Sequence, residues 1–273
     1  MSATQNERAD RFRALHAAGT FVIANAWDGG SAKVLAGLGF KAVATSSAAF
    51  AWTLGRHDGQ VSREEALAHA RLIAAATALP VAADLEKGFG DSPEAVAETI
   101  RLAARTGLVG GSIEDASGDA HAPIYEAALA AERVAAAVEA ARALPFSFTL
   151  TARAENFLCA KPDLDDTIRR LQAFERAGAD VLFAPGLPDL AAVRAVCSAV
   201  SRPVNFMVGM RGRSFSFAEL AEAGVRRISL ATSLYRAAMA GLMSAAREVR
   251  DRGTFGFVDS PVNTSELDAF LRE

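Results

Sequence analysis

Short apolar runs of four to eight residues alternate along this chain with longer stretches whose apolar positions recur at helical spacing. The short runs cover residues 21–26, 41–46, 81–84, 109–114, 146–153, 180–184, 203–208 and 225–230. Near-continuous apolar runs of this length predict strands covered on both faces, as in a parallel sheet. Helical patterns fall between them at 30–38, 62–78, 92–106, 124–143, 164–177, 188–200, 216–222 and 232–251. Punctuation agrees with the pattern. Ser62 with Glu65 forms a capping box, Pro93 after Ser92 sits in a first helical turn, and Asp163 precedes another periodic run. Gly178 and Gly224 stand where a helix ends before the next strand. Eight strand-then-helix units predict an α/β chain closed into a (β/α)8 TIM-type barrel with a C-terminal helical extension. An open doubly wound sheet would carry a glycine-rich phosphate loop after its first strand, and Asn25-Ala26-Trp27-Asp28-Gly29-Gly30 is not one.

The 273 residues show no linker between units, so residues 1–252 are expected to form one barrel domain and 253–273 a C-terminal arm that is not an independent domain. In that arm Gly- and Pro-bearing residues 253–261 precede a short predicted helix at 265–272. An apolar share of 51%, a charged share of 22% and a net charge of −3 argue against a nucleic-acid partner. No run is long and apolar enough for a membrane span, and the polar residues 1–13 lack the core of a signal peptide, so a cytoplasmic location is expected. Two cysteines, Cys159 and Cys197, are too few for a disulfide framework and are expected as thiols.

Chemistry enters where the strands stop. Three predicted strands end on charge: Asp84 and Glu86, Glu114 and Asp115, Arg153 and Glu155. Barrel enzymes work at the C-terminal strand ends, so these side chains are expected to converge with Trp27, Asp28, Ser46, Ser47 and Asn205. Of these, Trp27 and Asn205 are expected to line the substrate pocket. Crowded carboxylates raise one another's pKa unless a cation joins them. Oxygen ligands without His or Cys suit Mg2+ (or Mn2+) better than Zn2+.

Ala83-Asp84-Leu85-Glu86-Lys87-Gly88-Phe89-Gly90 resembles the Asp-x-Asp-x-Gly-[Tyr/Phe]-Gly motif of the isocitrate lyase/phosphoenolpyruvate mutase superfamily. Ser112-Ile113-Glu114-Asp115 is similar to its Ile-Glu-Asp element, Thr151-Ala152-Arg153 to its Thr-Ala-Arg element, and 24–28 and 46–49 to its first two strand ends. The resemblance runs from about residue 20 to 245 with the elements in the family's order. It implies a Mg2+-dependent lyase that cleaves a C–C bond of a small 2-oxo or 2-hydroxy di- or tricarboxylate through a pyruvate-like enolate. Asp84, Glu86 and Glu114 would hold the metal and its waters. Backbone N–H groups of Ser46, Ser47 and Ala48 would bind the substrate carboxylate, Arg153 would contact its oxo or carboxylate oxygen, and Asp58 falls where members carry an acid near the metal. A homotetramer is also implied, with the last helix of one subunit on its neighbour.

Two departures from the family pattern stand out. Glu86 replaces the second Asp, and the lyase branch's Lys-[Lys/Arg]-Cys-Gly-His loop is replaced by Ala116-Ser117-Gly118-Asp119-Ala120-His121-Ala122-Pro123. The latter suits a mobile lid, and His121 is its side chain best poised near neutral pH for proton transfer. Two other readings stay open: phosphoenolpyruvate mutase or phosphonopyruvate hydrolase chemistry on the same enolate, and an inactive barrel that binds 2-oxo acids.

Overall fold

The computed structural model describes residues 3–213, 215–259 and 262–271. Eight parallel strands close into a barrel in sequence order: β1 (Phe21–Asn25), β2 (Val43–Ala44), β3 (Val81–Asp84), β4 (Gly110–Glu114), β5 (Thr149–Arg153), β6 (Val181–Phe183), β7 (Val204–Met207) and β8 (Arg227–Ser229). β8 returns to β1 through the register Phe21↔Arg227 and Ile23↔Ser229. The (β/α)8 expectation therefore holds. Around the barrel run α2 (Gly29–Gly37), α4 (Arg63–Ala76), α5 (Pro93–Ala104), α6 (Ala127–Arg142), α7 (Leu164–Arg176), α8 (Leu190–Ala199), α9 (Phe217–Glu222) and α10 (Ser233–Arg252). Their apolar faces fill the core between helices and strands, where Ile73, Ile100, Val134, Leu171, Phe174 and Val193 are buried.

The anticipated caps are present. Ser62 and Glu65 form the reciprocal box of α4, Ser92 caps α5 ahead of Pro93, and Asp163 caps α7. Two helices lie outside the predicted pattern. α1 (Gln5–Ala17) falls in the stretch that reads as merely polar; Thr4 and Glu7 box its start, and Ala9, Phe12 and His16 are its buried residues. It closes the N-terminal end of the barrel, with Phe12 among Phe21, Ile23, Ala82 and Val109. Gly110 makes room for it: a Cβ there would stand 2.9 Å from Phe12 Cε1 and 2.8 Å from the Thr149 carbonyl. The second, α3 (Ser47–Thr53), shortens the second strand to two residues, because Ser46 leaves the sheet to cap it and accepts from the Ala49 N–H at 3.4 Å.

Beyond α10, a 3-10 turn (Gly256–Asp259) leads to α11 (Thr264–Leu271), which folds back on α2. Phe270 lies so close to Gly37 that a Cβ there would meet its ring, and Lys33 Nζ donates to the Leu271 carbonyl at 3.2 Å. Of the predicted arm, residues 260, 261, 272 and 273 lie outside the described residues. Among those described, no helix is long and apolar enough to cross a membrane.

Candidate active site

β3, β4 and β5 pair through Asp84↔Ser112 and Glu114↔Arg153, so neighbouring strands bring Asp84, Glu114 and Arg153 to the same rim. Arg153 is the hub. Its Nε donates to Glu155 Oε1 at 2.5 Å, and its Nη1 stands 3.1 Å from Glu114 Oε2 and 3.3 Å from Asp84 Oδ1. Its guanidinium lies 5.1 Å from the centre of the Phe183 ring. Burial alone would lower the Arg153 pKa, but Glu155, Glu114 and Asp84 more than reverse this and raise it. The residue is a permanent cation with three carboxyl neighbours.

The acids show the opposite strain. Glu114 is raised well above the carboxylate range by burial, against the pull of Arg153 and with the push of Glu155, Asp84 and Glu86. Glu86 is pushed up to about 7 by burial and then by Asp84 and Asp58. Asp58 stands in an exposed loop, yet its carboxyl lines the cavity and is raised by desolvation and by Asp84, with the Ser47 hydroxyl and Gly59 N–H opposing. Asp84 is held in place from several sides. It accepts from Ser47 Oγ at 3.0 Å, from the Ser47 N–H at 3.3 Å and from the Glu86 N–H at 3.3 Å, while its own N–H donates to Thr45 Oγ1 at 3.0 Å. Glu86 takes a left-handed backbone with φ of 50°, a conformation that costs a non-glycine residue about 1–3 kcal/mol and clusters at functional sites.

Asp115 supports the rim from behind. It accepts from the Glu155 N–H at 2.7 Å and from Arg170 Nη1 at 3.1 Å, so a hydrogen bond joins the loop after β4 to the loop after β5 and a buried ion pair joins it to α7. Burial pushes Asp115 up to about 6.

Between these groups opens a cavity of about 290 Å³, close to the lower end of small-molecule sites. Ser46, Ser47, Ala48, Asp58, Asp84, Arg153 and Asn205 of the expected set line it. Glu114 lies behind Arg153, and Glu86 lines an adjoining depression with Asp84 and His69. Trp27 is elsewhere, edge-on to Tyr235 with ring centres 5.5 Å apart. His121 is exposed, and its N–H donates to Asp119 Oδ1 at 2.8 Å within the loop after β4. That loop is closed on itself by an Ala116↔Ile124 bridge and by the Ser117 N–H donating to the Pro123 carbonyl at 3.0 Å. Lys87 Nζ, bonded to Asp91 Oδ1 at 2.7 Å and to the Ser117 carbonyl at 2.8 Å, ties it to the Asp84 loop. Cys159, after β5, has its thiol pushed up to about 11 by burial and then by Glu155, which keeps it protonated at neutral pH.

Asn25, Thr151 and Arg227 also line the cavity and were not expected there. Asn25 belongs to the strand end that carries part of the family resemblance. Arg227 stands inside an apolar run, a place where a charge is itself the signal.

As a metal centre, the donor set fits a hard dication in chemistry: carboxylates raised by mutual repulsion, with no imidazole or thiolate among them. Among the described residues, no three acidic, His or Cys side chains converge tightly enough to cage an ion by themselves.

A family model for phosphoenolpyruvate phosphomutase matches residues 12–250. The chain is 30% identical to 2-methylisocitrate lyase of Escherichia coli K12, over 79% of this chain and 75% of that one. It superposes on a Burkholderia cenocepacia J2315 protein, provisionally named a lyase/mutase, with a TM-score of 0.96 and 52% identity, covering 97% of this chain and 96% of the other. A solved 2,3-dimethylmalate lyase superposes with a TM-score of 0.87 at 27% identity, covering 99% and 95%.

Proposed function

The chain belongs to the isocitrate lyase/phosphoenolpyruvate mutase superfamily, and from that premise we propose that it is a Mg2+- or Mn2+-dependent lyase cleaving a C–C bond of a small 2-oxo or 2-hydroxy di- or tricarboxylate. The observation that carries this reading is the meeting of Arg153 with Asp84 and Glu114 at the C-terminal mouth of the barrel.

Asp84, Glu86 and Glu114 would hold a dication and its waters, and that ion would supply Lewis-acid stabilisation of developing negative charge. Everything else falls to side chains. Arg153, fixed by its acids beside Phe183, lines the cavity where an enolate oxygen would form; fixed charge aimed at developing charge is usually the largest catalytic term. The first N–H groups of α3 lack intrahelical acceptors; Asp84 takes that of Ser47, and those of Ser46 and Ala48 are left for a substrate carboxylate. Asp58 is the cavity acid whose carboxyl is raised above its ordinary range; it would take the hydroxyl proton of a 2-hydroxy substrate as the C–C bond breaks to a carbonyl product and an enolate, and return that proton to the enolate carbon. His121 and Trp27 do not line the cavity and have no role in this reading.

A panel of 2-oxo and 2-hydroxy di- and tricarboxylates with phosphonopyruvate, with and without Mg2+, tests this. Pyruvate, glyoxylate or oxalate released only with metal is expected. Phosphate from phosphonopyruvate would instead favour P–C chemistry, the second reading that the phosphomutase model match supports. No turnover, with metal-dependent stabilisation by a 2-oxo acid, would leave an inactive binding barrel.

We also propose a cytoplasmic homotetramer. Exposed Leu242, Met243 and Val249 on α10, with Phe255 and Val258 after it, form apolar surface suited to a second copy, and both cysteines are free. Light scattering at one subunit's mass would refute the assembly.

A further inference from the structure

Below the mouth the cavity continues into the barrel, because Ala44, Ala82, Gly111 and Ser112 leave its interior hollow. Arg227 of β8 stands at the floor, 6% exposed. Every group on its guanidinium is neutral. Nε donates to Asn205 Oδ1 at 2.8 Å, Nη2 donates to Thr151 Oγ1 at 3.0 Å, and Nη1 meets His16 Nε2 at 3.4 Å. His16 Nδ1 faces the Phe12 carbonyl at 2.8 Å and must donate to it, which leaves Nε2 as an acceptor and the ring uncharged. Among the described residues, no carboxylate lies within ion-pair distance of Arg227, and burial has no opposing charge there.

Two of the five guanidinium N–H groups remain after these three contacts, one on each Nη. A buried cation without a partner costs several kcal/mol, so a site that keeps one is prepared for an anion. Asn205, whose Nδ2 also donates to Ser229 Oγ at 3.0 Å, and Thr151 fix the orientation of the guanidinium.

We propose that Arg227, held by Asn205 and Thr151, forms a second, deep subsite for one carboxylate-sized oxyanion, supplied either by the distal acid group of a di- or tricarboxylate or by a free small anion. The first source rests on the lyase reading; the subsite itself does not.

The test titrates the metal-free protein with 13C-formate at constant ionic strength and follows line broadening. Saturable binding is expected, weakened at least tenfold in Arg227→Met and partly kept in Arg227→Lys. Absent saturation, or undiminished binding in a folded Arg227→Met, overturns the subsite. Should Arg227→Met fail to fold, wild-type crystals soaked in bromide decide: an anomalous peak on the guanidinium supports it, and none there overturns it. Formate that competes with oxaloacetate assigns the floor to the substrate's distal carboxylate, whereas formate that binds alongside it assigns a free anion. Formate binding without turnover of any acid in the panel would sink the lyase reading and leave this one standing.

Discussion

Arg153 and Arg227 are the same side chain, both enclosed by one barrel, yet they live in opposite electrostatic worlds. At the mouth, Arg153 is outnumbered by Glu155, Glu114 and Asp84. At the floor, the partners of the Arg227 guanidinium among the described residues are Asn205, Thr151 and the neutral His16, and burial pushes its pKa down to about 9. Thr151, two residues before Arg153 on β5, places the two levels about 6.6 Å apart along the strand. A surplus of negative charge above and of positive charge below describes a site that takes a cation at its entrance and an anion at its base.

The sharpest way to break this contrast is to neutralise each arginine in turn. Arg153→Met strands three largely buried carboxylates, and removing one partner of a buried pair costs about 3–5 kcal/mol. Arg227→Met removes a buried charge that has no ionic partner, and its stability is expected to fall by less than about 1.5 kcal/mol or to rise. Urea denaturation of both variants measures the difference. Equal losses would show that the surrounding acids do not set Arg153 apart.

Asp84→Asn sharpens the mouth side. It preserves shape and the contact with Ser47 while removing one of the three charges around Arg153. Metal-dependent turnover is expected to drop by about 10²–10³, or about 2.7–4 kcal/mol in barrier, with unfolding still cooperative. Activity within tenfold of wild type would remove Asp84 from the chemistry.

The two regions also differ in how much of them the sequence disclosed. At the mouth, strands that end on charge follow directly from the need to keep carboxylates off the fully covered part of a parallel sheet, so Asp84, Glu114 and Arg153 could be read as neighbours. The floor was hidden for two physical reasons. Arg227 sits within a strand rather than at its end, where burial ordinarily excludes a charge, and its partner His16 belongs to a helix whose polar surface conceals three inward residues. α3 was hidden too, since the apolar run through Ala44 reads as a longer strand until Ser46 caps a helix. Glu155 was legible as a strand-end acid, but its hold on Arg153 depends on a loop turn that spacing does not encode.

The floor also has a pH signature. His16 is pushed down to about 3 by burial and then by Arg227, despite the opposing Phe12 carbonyl. An unfolded histidine titrates near 6.5. As pH falls below about 6.5 the unfolded chain takes up a proton that the folded one refuses, so the stability this neutral ring contributes is complete above that pH and declines toward pH 3. The slope is about 1.4 kcal/mol per pH unit. His16→Gln is expected to lose this share of the slope between pH 6 and 4 in urea titrations, and an unchanged slope would mean that the ring is charged in the fold. Raised carboxylates at the mouth, Glu86 and Glu114 among them, act in the reverse sense, which is why the wild-type and variant slopes must be subtracted.

The smallest effect is expected at His121, and it discriminates between the mouth as drawn and a mouth completed by the loop above it. The imidazole is exposed, its backbone is tied to Asp119, and the loop base is stapled by Lys87 to Asp91 and the Ser117 carbonyl. Arg133, buried beneath, bonds the Gly90, Asp91 and Lys87 carbonyls and stacks 4.2 Å from the Tyr125 ring centre, so the loop's anchor is rigid on both sides. A proton donor must stand within hydrogen-bond reach of the carbon it protonates, and His121 does not line the cavity where Asp58 does. His121→Ala is therefore expected to alter stability by no more than about 0.5 kcal/mol and turnover by no more than about two- to threefold. A large fall in kcat at unchanged KM would mean that residues 117–122 swing over the mouth during turnover and that the proton belongs to His121, with Asp58 reduced to placing the metal's water.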